Sequence, residues 1–162
     1  MIDNKLTFKT HLNKIIKNGY FRANQILRVL KSTDIQVWRQ AYLSYVRPLL
    51  EYSTEVWNPK PIQDIKRIEK VQKFFTRMAL RKCKVKYCDY ESRLRLFNIF
   101  SLQVRRLMTD LTMVYKIFHN KTSISPQQFL NLSTRQNNRL HRFQIRAKRK
   151  TNKNQLFCQP NH

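Results

Sequence analysis

A single glycine, Gly19, serves a chain of 162 residues. Tight hairpins lean on glycine because their turns need positive φ, and phosphate-cradling loops need it so that backbone can approach a ligand closely. With one glycine an all-β architecture is a poor reading and a phosphate-cradling loop has no material. The expected fold is all-α, a small helical bundle with additional C-terminal helices and a basic tail.

The helices announce their own ends. Phe8, Leu12, Ile15, Ile16, Gly19, Ala23, Ile26, Leu27 and Leu30 keep a helical period, which predicts helix one over residues 8–30. Gly19 weakens that helix by roughly 1 kcal/mol relative to alanine and suits a close helix crossing. Asp34 is placed to cap a second helix through Trp38, Tyr42, Tyr45, Leu49, Tyr52 and Val56, and Pro48 inside it predicts an interruption near residues 44–47. Asn58-Pro59-Lys60-Pro61 ends that helix and opens the third. Asp89 and Asn98 bracket a short helix over 90–96, and Ser101 caps a fifth whose apolar face is Val104, Leu107, Met108, Leu111, Val114, Tyr115 and Phe118. Residues 120–125 read as a loop, and Ser125-Pro126 as the opening of one more helix over 127–132. From Ser133 on, eight cations stand without an acid, an expected disordered tail. The chain thus divides into a bundle at 1–82, a helical extension at 83–133 and a basic tail at 134–162.

Charge narrows the partners. Thirty-three Lys and Arg against nine Asp and Glu leave a formal charge of +24. Self-repulsion on that scale is tolerable when a polyanion neutralises it, nucleic acid first and an anionic membrane surface second. Along helix three, Lys66, Lys70, Lys73, Arg77 and Arg81 step by four, three, four and four residues, so they stack on one side. Ile65, Ile68, Val71, Phe75, Met78 and Ala79 fall on the other. An apolar wall backing a straight row of cations is suited to a phosphate backbone. The competing reading is a solvated lysine face.

Chemistry is hard to assemble from what remains. The nine acids are dispersed, the four histidines have no nucleophile patterned beside them, and two-metal phosphoryl transfer needs carboxylates converging on ions about 4 Å apart. Cys83 and Cys88 with His119 have the wrong spacing for a zinc knuckle, and with Cys158 they read as free thiols. No catalytic residue, metal ligand or cofactor site is assigned. Met1-Ile2-Asp3-Asn4-Lys5 opens no signal peptide and no apolar run reaches membrane-spanning length, so the chain is expected inside the cell, in nucleus or cytoplasm.

Several short blocks, taken in order, carry a resemblance. They are Asp3 with Lys5-Leu6-Thr7-Phe8 and His11; Val46-Arg47-Pro48 and Leu50-Glu51-Tyr52; Val56-Trp57-Asn58-Pro59; and Glu69-Lys70-Val71-Gln72 with Phe75-Thr76-Arg77. Tyr90, Arg93-Leu94, Ser101-Leu102, Arg105-Arg106, Asp110-Leu111 and Tyr115-Lys116-Ile117 follow. Together they resemble the C-terminal part of the reverse transcriptases of non-LTR (LINE-type, Jockey-like) retrotransposons, from the end of the palm through the thumb and beyond. The resemblance implies a thumb-type bundle at 1–82, a parent activity of RNA-directed DNA synthesis, and a piece that supplies grip and not chemistry. The family's metal-binding aspartate pair lies upstream of the matching region and has no counterpart here, so the chain looks like a fragment or a decayed copy and is not expected to be an enzyme.

The expected partner is nucleic acid (RNA, DNA or hybrid) held through phosphates with little regard to sequence; neither a small-molecule substrate nor a membrane is expected. Lys66, Lys70, Lys73, Arg77 and Arg81 are the candidate binding row, and five such contacts predict a log-affinity against log-salt slope of about −3.5 to −4.5. Arg105 and Arg106 are a candidate second phosphate clamp, with surface pairing to Asp110 or Glu91 as the alternative. Trp38, Tyr42, Tyr45, Tyr52 and Trp57 are spaced for core packing more than for base stacking. The Arg146-Ala147-Lys148-Arg149-Lys150 cluster reads as a nuclear-import or RNA-gripping arm, or as a plain basic end. A helical module for an acidic partner or anionic lipid is the alternative from another class, and a relic without selected function is the third.

Overall fold

In the computed structural model residues 8–125 are described, and among them every regular element is helical. The order is α1 (Lys9–Val29), α2 (Ile35–Ala41), a π-helical turn (Tyr42–Val46), α3 (Arg47–Glu51), α4 (Thr54–Trp57), α5 (Ile62–Lys82), α6 (Tyr90–Phe97) and α7 (Leu102–Phe118). No described helix is long and apolar enough to cross a membrane. The expected helix at 127–132, the basic tail at 134–162 with its Arg146–Lys150 cluster, Asp3, Lys5, Cys158, His141 and His162 all lie outside the described residues. Two compact units emerge, one ending at Met113 and one beginning at Val114. Residues 83–113 fold in the same unit as residues 8–82.

Local chemistry sets the ends. Asp34 accepts the backbone N–H of Gln36 at 2.8 Å, and Asp89 accepts those of Glu91 and Ser92, so each caps the helix that follows. Pro48 has no N–H for the carbonyl four residues back and its ring crowds that carbonyl. The chain answers with a wider turn just upstream, in which the N–H of Arg47 reaches the carbonyl of Tyr42, five residues back. At the end of α5 the N–H groups of Lys84 and Val85 return to the carbonyls of Arg81 and Leu80, with Lys84 at φ 57°. That is a Schellman ending, and Asn98 at φ 46° closes α6 by the same pair of bonds.

The core of the first unit lies where α1, α2, the π turn, α3 and α5 meet. Trp38, Tyr42, Leu50, Ile68, Val71, Phe75 and Phe97 are fully buried there. Phe75 sits between Tyr42 and Trp38, with ring centroids 5.3 and 6.2 Å away. Gly19 lets α1 approach closely: a Cβ there would lie 2.8 Å from Leu50 Cδ2 and 3.3 Å from Val71 Cγ1.

The apolar stripe of α7 departs from expectation. In the first unit Val104, Leu107, Met108 and Leu111 are exposed, Leu111 by 60%. The inward side of that stretch carries Leu102 and Arg106, both buried, with Arg105, Thr109 and Asp110 half-buried. The period is helical as the sequence suggests, but residues 102–113 are held to the bundle by their polar side.

Candidate nucleic-acid interface

α5 is the element on which a cationic face can stand straight. Pro61 precedes its first residue in extended conformation, and no proline or glycine interrupts the 21 residues to Lys82. At 3.6 residues per turn, positions 66, 70, 73, 77 and 81 fall within an arc of about 80° and span about 22 Å along the axis. Lys66, Lys70, Lys73, Arg77 and Arg81 are all exposed. The opposite side carries Ile68, Val71, Gln72, Phe75, Thr76 and Ala79, all buried, while Ile65 and Met78 are half-buried at its margins.

What stands near those cations matters as much as their exposure. Eight of the nine acids fall among the described residues, Asp3 lying outside. Asp34 and Asp89 cap helices. Asp64 pairs with Arg67 at 3.1 Å, and Arg67 also donates to Asn13 Oδ1 at 2.6 Å. Glu51 binds Arg105 and lies 3.7 Å from Arg47. Asp110 accepts a bond from Asn58 Nδ2 at 2.6 Å. Glu69 is turned inward, 8% exposed, onto the N-terminus of α7. Only Glu55 and Glu91 are left, both exposed. No ion pair among the described residues involves the row, although the Lys73 ammonium lies 4.7 Å from the centre of the Tyr90 ring.

Behind the row runs a chain of buried polar groups. The Tyr42 hydroxyl donates to Gln72 Oε1 at 2.5 Å, and Gln72 Nε2 donates at 3.0 Å to both the Tyr90 hydroxyl and the Phe100 carbonyl. Tyr90 in turn donates to Glu69 Oε1. Glu69 completes the chain by accepting the N–H groups of Leu102 (3.2 Å) and Gln103 (3.3 Å). From Tyr42 to Glu69 each donor meets an acceptor in one direction, and the two backbone N–H groups converge on the same carboxylate from the other side, so the bonds polarise one another. Burial pushes both phenols above the ordinary tyrosine range, and for Tyr90 the adjacent Glu69 carboxylate adds to that. A negative carboxylate at a helix N-terminus also meets the positive end of the α7 dipole.

Arg105 and Arg106 do not form the expected phosphate clamp. Arg105 holds Glu51 by two bonds, Nε to Oε1 at 2.5 Å and Nη2 to Oε2 at 3.0 Å. Its partner is neither Asp110 nor Glu91. Arg106 is only 3% exposed, and its two Nη atoms have no hydrogen-bond partner among the described residues. Burial lowers its pKa, while the fields of Glu69, Glu51 and Asp110 act to keep it charged. Neighbours on a helix point about 100° apart, so one guanidinium meets a carboxylate at the margin and the other enters the interior.

The aromatic set divides. Trp38, Tyr42 and Trp57 are buried, and the two indole N–H groups are satisfied by the carbonyls of Ser32 and Tyr52. Tyr45 and Tyr52 are exposed. Cys83 and Cys88 are free thiols.

Compared with known proteins, the chain is 32% identical over 119 residues to an uncharacterized protein of Caenorhabditis elegans, the match covering 74% of this chain and 58% of that relative. The chain therefore spans less than two thirds of the relative's length. No family model matches, and no solved structure does.

Proposed function

We propose that this chain is a non-catalytic helical module that grips the sugar–phosphate backbone of nucleic acid through the outer face of α5, without regard to sequence. The role is the one its resemblance to the thumb region of non-LTR reverse transcriptases implies. One observation carries the reading: five exposed cations share one face of a rigid helix with no ion pair among the described residues, while six of the eight described acids are engaged elsewhere. A solvated lysine face in an ordinary protein is usually laced with acids, and this one is not. The length of the row, about 22 Å, matches some six steps of a strand at 3.4 Å rise.

The test is fluorescence anisotropy of the whole chain with a labelled RNA–DNA hybrid duplex across a salt series. The reading predicts a log–log slope of about −3.5 to −4.5 and equal affinities for duplexes of scrambled sequence. A slope near zero, or strong dependence on sequence, contradicts it.

A second reading is favoured by the outward apolar stripe of Val104, Leu107, Met108 and Leu111. On a chain this basic, that amphipathic surface suits an anionic bilayer. Stronger binding to phosphatidylserine-containing vesicles than to the duplex at equal salt would select it.

A further inference from the structure

Beyond the end of α5 the chain turns through Lys84 and comes back, so that Lys86 and Cys88 close a cavity of about 210 Å³ against Arg77, Arg81 and Arg93. The cavity is bounded by α5, the returning loop and α6. Among the described residues four cations line it, and none of those lining it is acidic. The C-terminus of α5 does not account for them. Its last carbonyls are taken by the N–H groups of Cys83, Lys84 and Val85, and no guanidinium among the described residues caps them.

Arg93 makes the place more than a patch of surface charge. It is only 6% exposed, donates through Nη1 to the Cys88 carbonyl at 2.7 Å, and lies 5.5 Å from the centre of the Tyr90 ring. Its Nε is buried without a hydrogen-bond partner among the described residues. A fixed, under-satisfied guanidinium among three further cations is an arrangement that an oxyanion completes. The size points the same way, since pockets for drug-sized ligands start at about 300 Å³ and this one is smaller.

We infer that this cavity seats the terminal phosphate of a polynucleotide whose backbone lies along α5. Arg77 and Arg81 belong both to the row and to the cavity, so a strand following the row arrives there. A phosphate monoester brings up to two negative charges to four cations, where an internal diester brings one. A cavity walled on three sides receives a group that ends more readily than a backbone that enters and leaves. The inference rests on the nucleic-acid reading above and adds to it a preference for one chemical end.

The experiment compares labelled oligonucleotides that differ only in a phosphate or a hydroxyl at the 5′ end, and a second pair that differ only at the 3′ end, all binding the full chain. A phosphorylated end of one polarity is expected to bind about tenfold tighter. Inorganic phosphate should abolish that preference, where chloride at equal ionic strength does not. Lys86→Gln, an exposed substitution outside the row, should remove the preference and leave the affinity for unphosphorylated oligonucleotide unchanged. Equal affinities within both pairs, or a preference that survives in Lys86→Gln, would overturn the inference while leaving the backbone grip intact. Absence of binding by any of the oligonucleotides would overturn both.

Discussion

The carboxylate of Glu69, in the middle of α5, accepts the backbone N–H of Leu102, 33 residues further along at the start of α7. The same helix that offers cations outward thus organises the next part of the bundle inward. Ser101 helps from its own side by accepting the N–H of Val104 at 3.3 Å. The N-terminus of α7 is therefore satisfied by one local hydroxyl and both oxygens of one distant carboxylate.

Removing the distant carboxylate should be felt. Glu69→Ala leaves the N–H groups of Leu102 and Gln103 and the Tyr90 hydroxyl without their acceptor, at a cost of about 1–3 kcal/mol or somewhat more. The expected outcome is a fall of several degrees in thermal midpoint, together with faster hydrogen exchange at Leu102 and Gln103. Unchanged exchange at those two amides would count against the capping role.

Alkaline pH should loosen the same network. The phenols of Tyr42 and Tyr90 are held above their ordinary range in the folded chain, whereas in the unfolded chain they ionise near pH 10. The unfolded state sheds those protons first, so their contribution is complete below about pH 10 and declines as pH rises beyond it. Lysine neutralisation in the same range relieves self-repulsion and acts the other way. The informative quantity is therefore the difference between the native chain and Tyr90→Phe in urea midpoint, measured at about pH 8 and about pH 11. The native chain should lose more stability than the variant over that interval.

Gly19→Ala sets two effects against each other. Alanine gains roughly 1 kcal/mol of helix propensity. Its Cβ would meet Leu50 Cδ2 at 2.8 Å in a fully packed core, and overpacking of this kind costs about 1–3 kcal/mol. Net destabilisation is expected by chemical denaturation, with Gly19→Val worse and Gly19→Ala partly rescued by Leu50→Val.

Lys84→Gly should stabilise. Lys84 holds a left-handed conformation that costs an L-residue about 1–2 kcal/mol and glycine nothing. The greater freedom of glycine in the unfolded chain returns part of that, leaving a gain of about 0.5–1 kcal/mol. A lower denaturation midpoint would show that the lysine side chain supports the turn in another way.

Much of this fold is legible in the sequence because helix ends are set by neighbouring residues. Asp34, Asp89, Asn98 and Ser101 act within three residues of themselves, and Pro48 disturbs the turn just before it. Hence α1 at Lys9–Val29 and α6 at Tyr90–Phe97 fall within a residue of expectation. The stripe on α7 shows the limit: a period reveals that a helix has an apolar face, and says nothing of whether another element covers it. Arg105 and Arg106 show a second limit. Their fates depend on Glu51, 54 residues before Arg105, and on the interior around Glu69, and no local pattern connects them. The row on α5 was readable because a face needs only one helix to define it. The cavity at its end was not, since Lys86, Arg93 and Arg77 meet only once the loop has turned back.

Two charge-matched variants compared in the salt series separate a grip by α5 from an effect of net charge. In one, Lys66, Lys70 and Lys73 become glutamine; in the other, Lys9, Lys14 and Lys17, exposed on α1, do. If the α5 row grips phosphates, the first variant flattens the salt slope by about two to three units and weakens binding alike for all sequences, while the second leaves the slope where it was. Equal flattening by both would mean that only net charge matters, and an unchanged slope in the first would remove α5 from the interface.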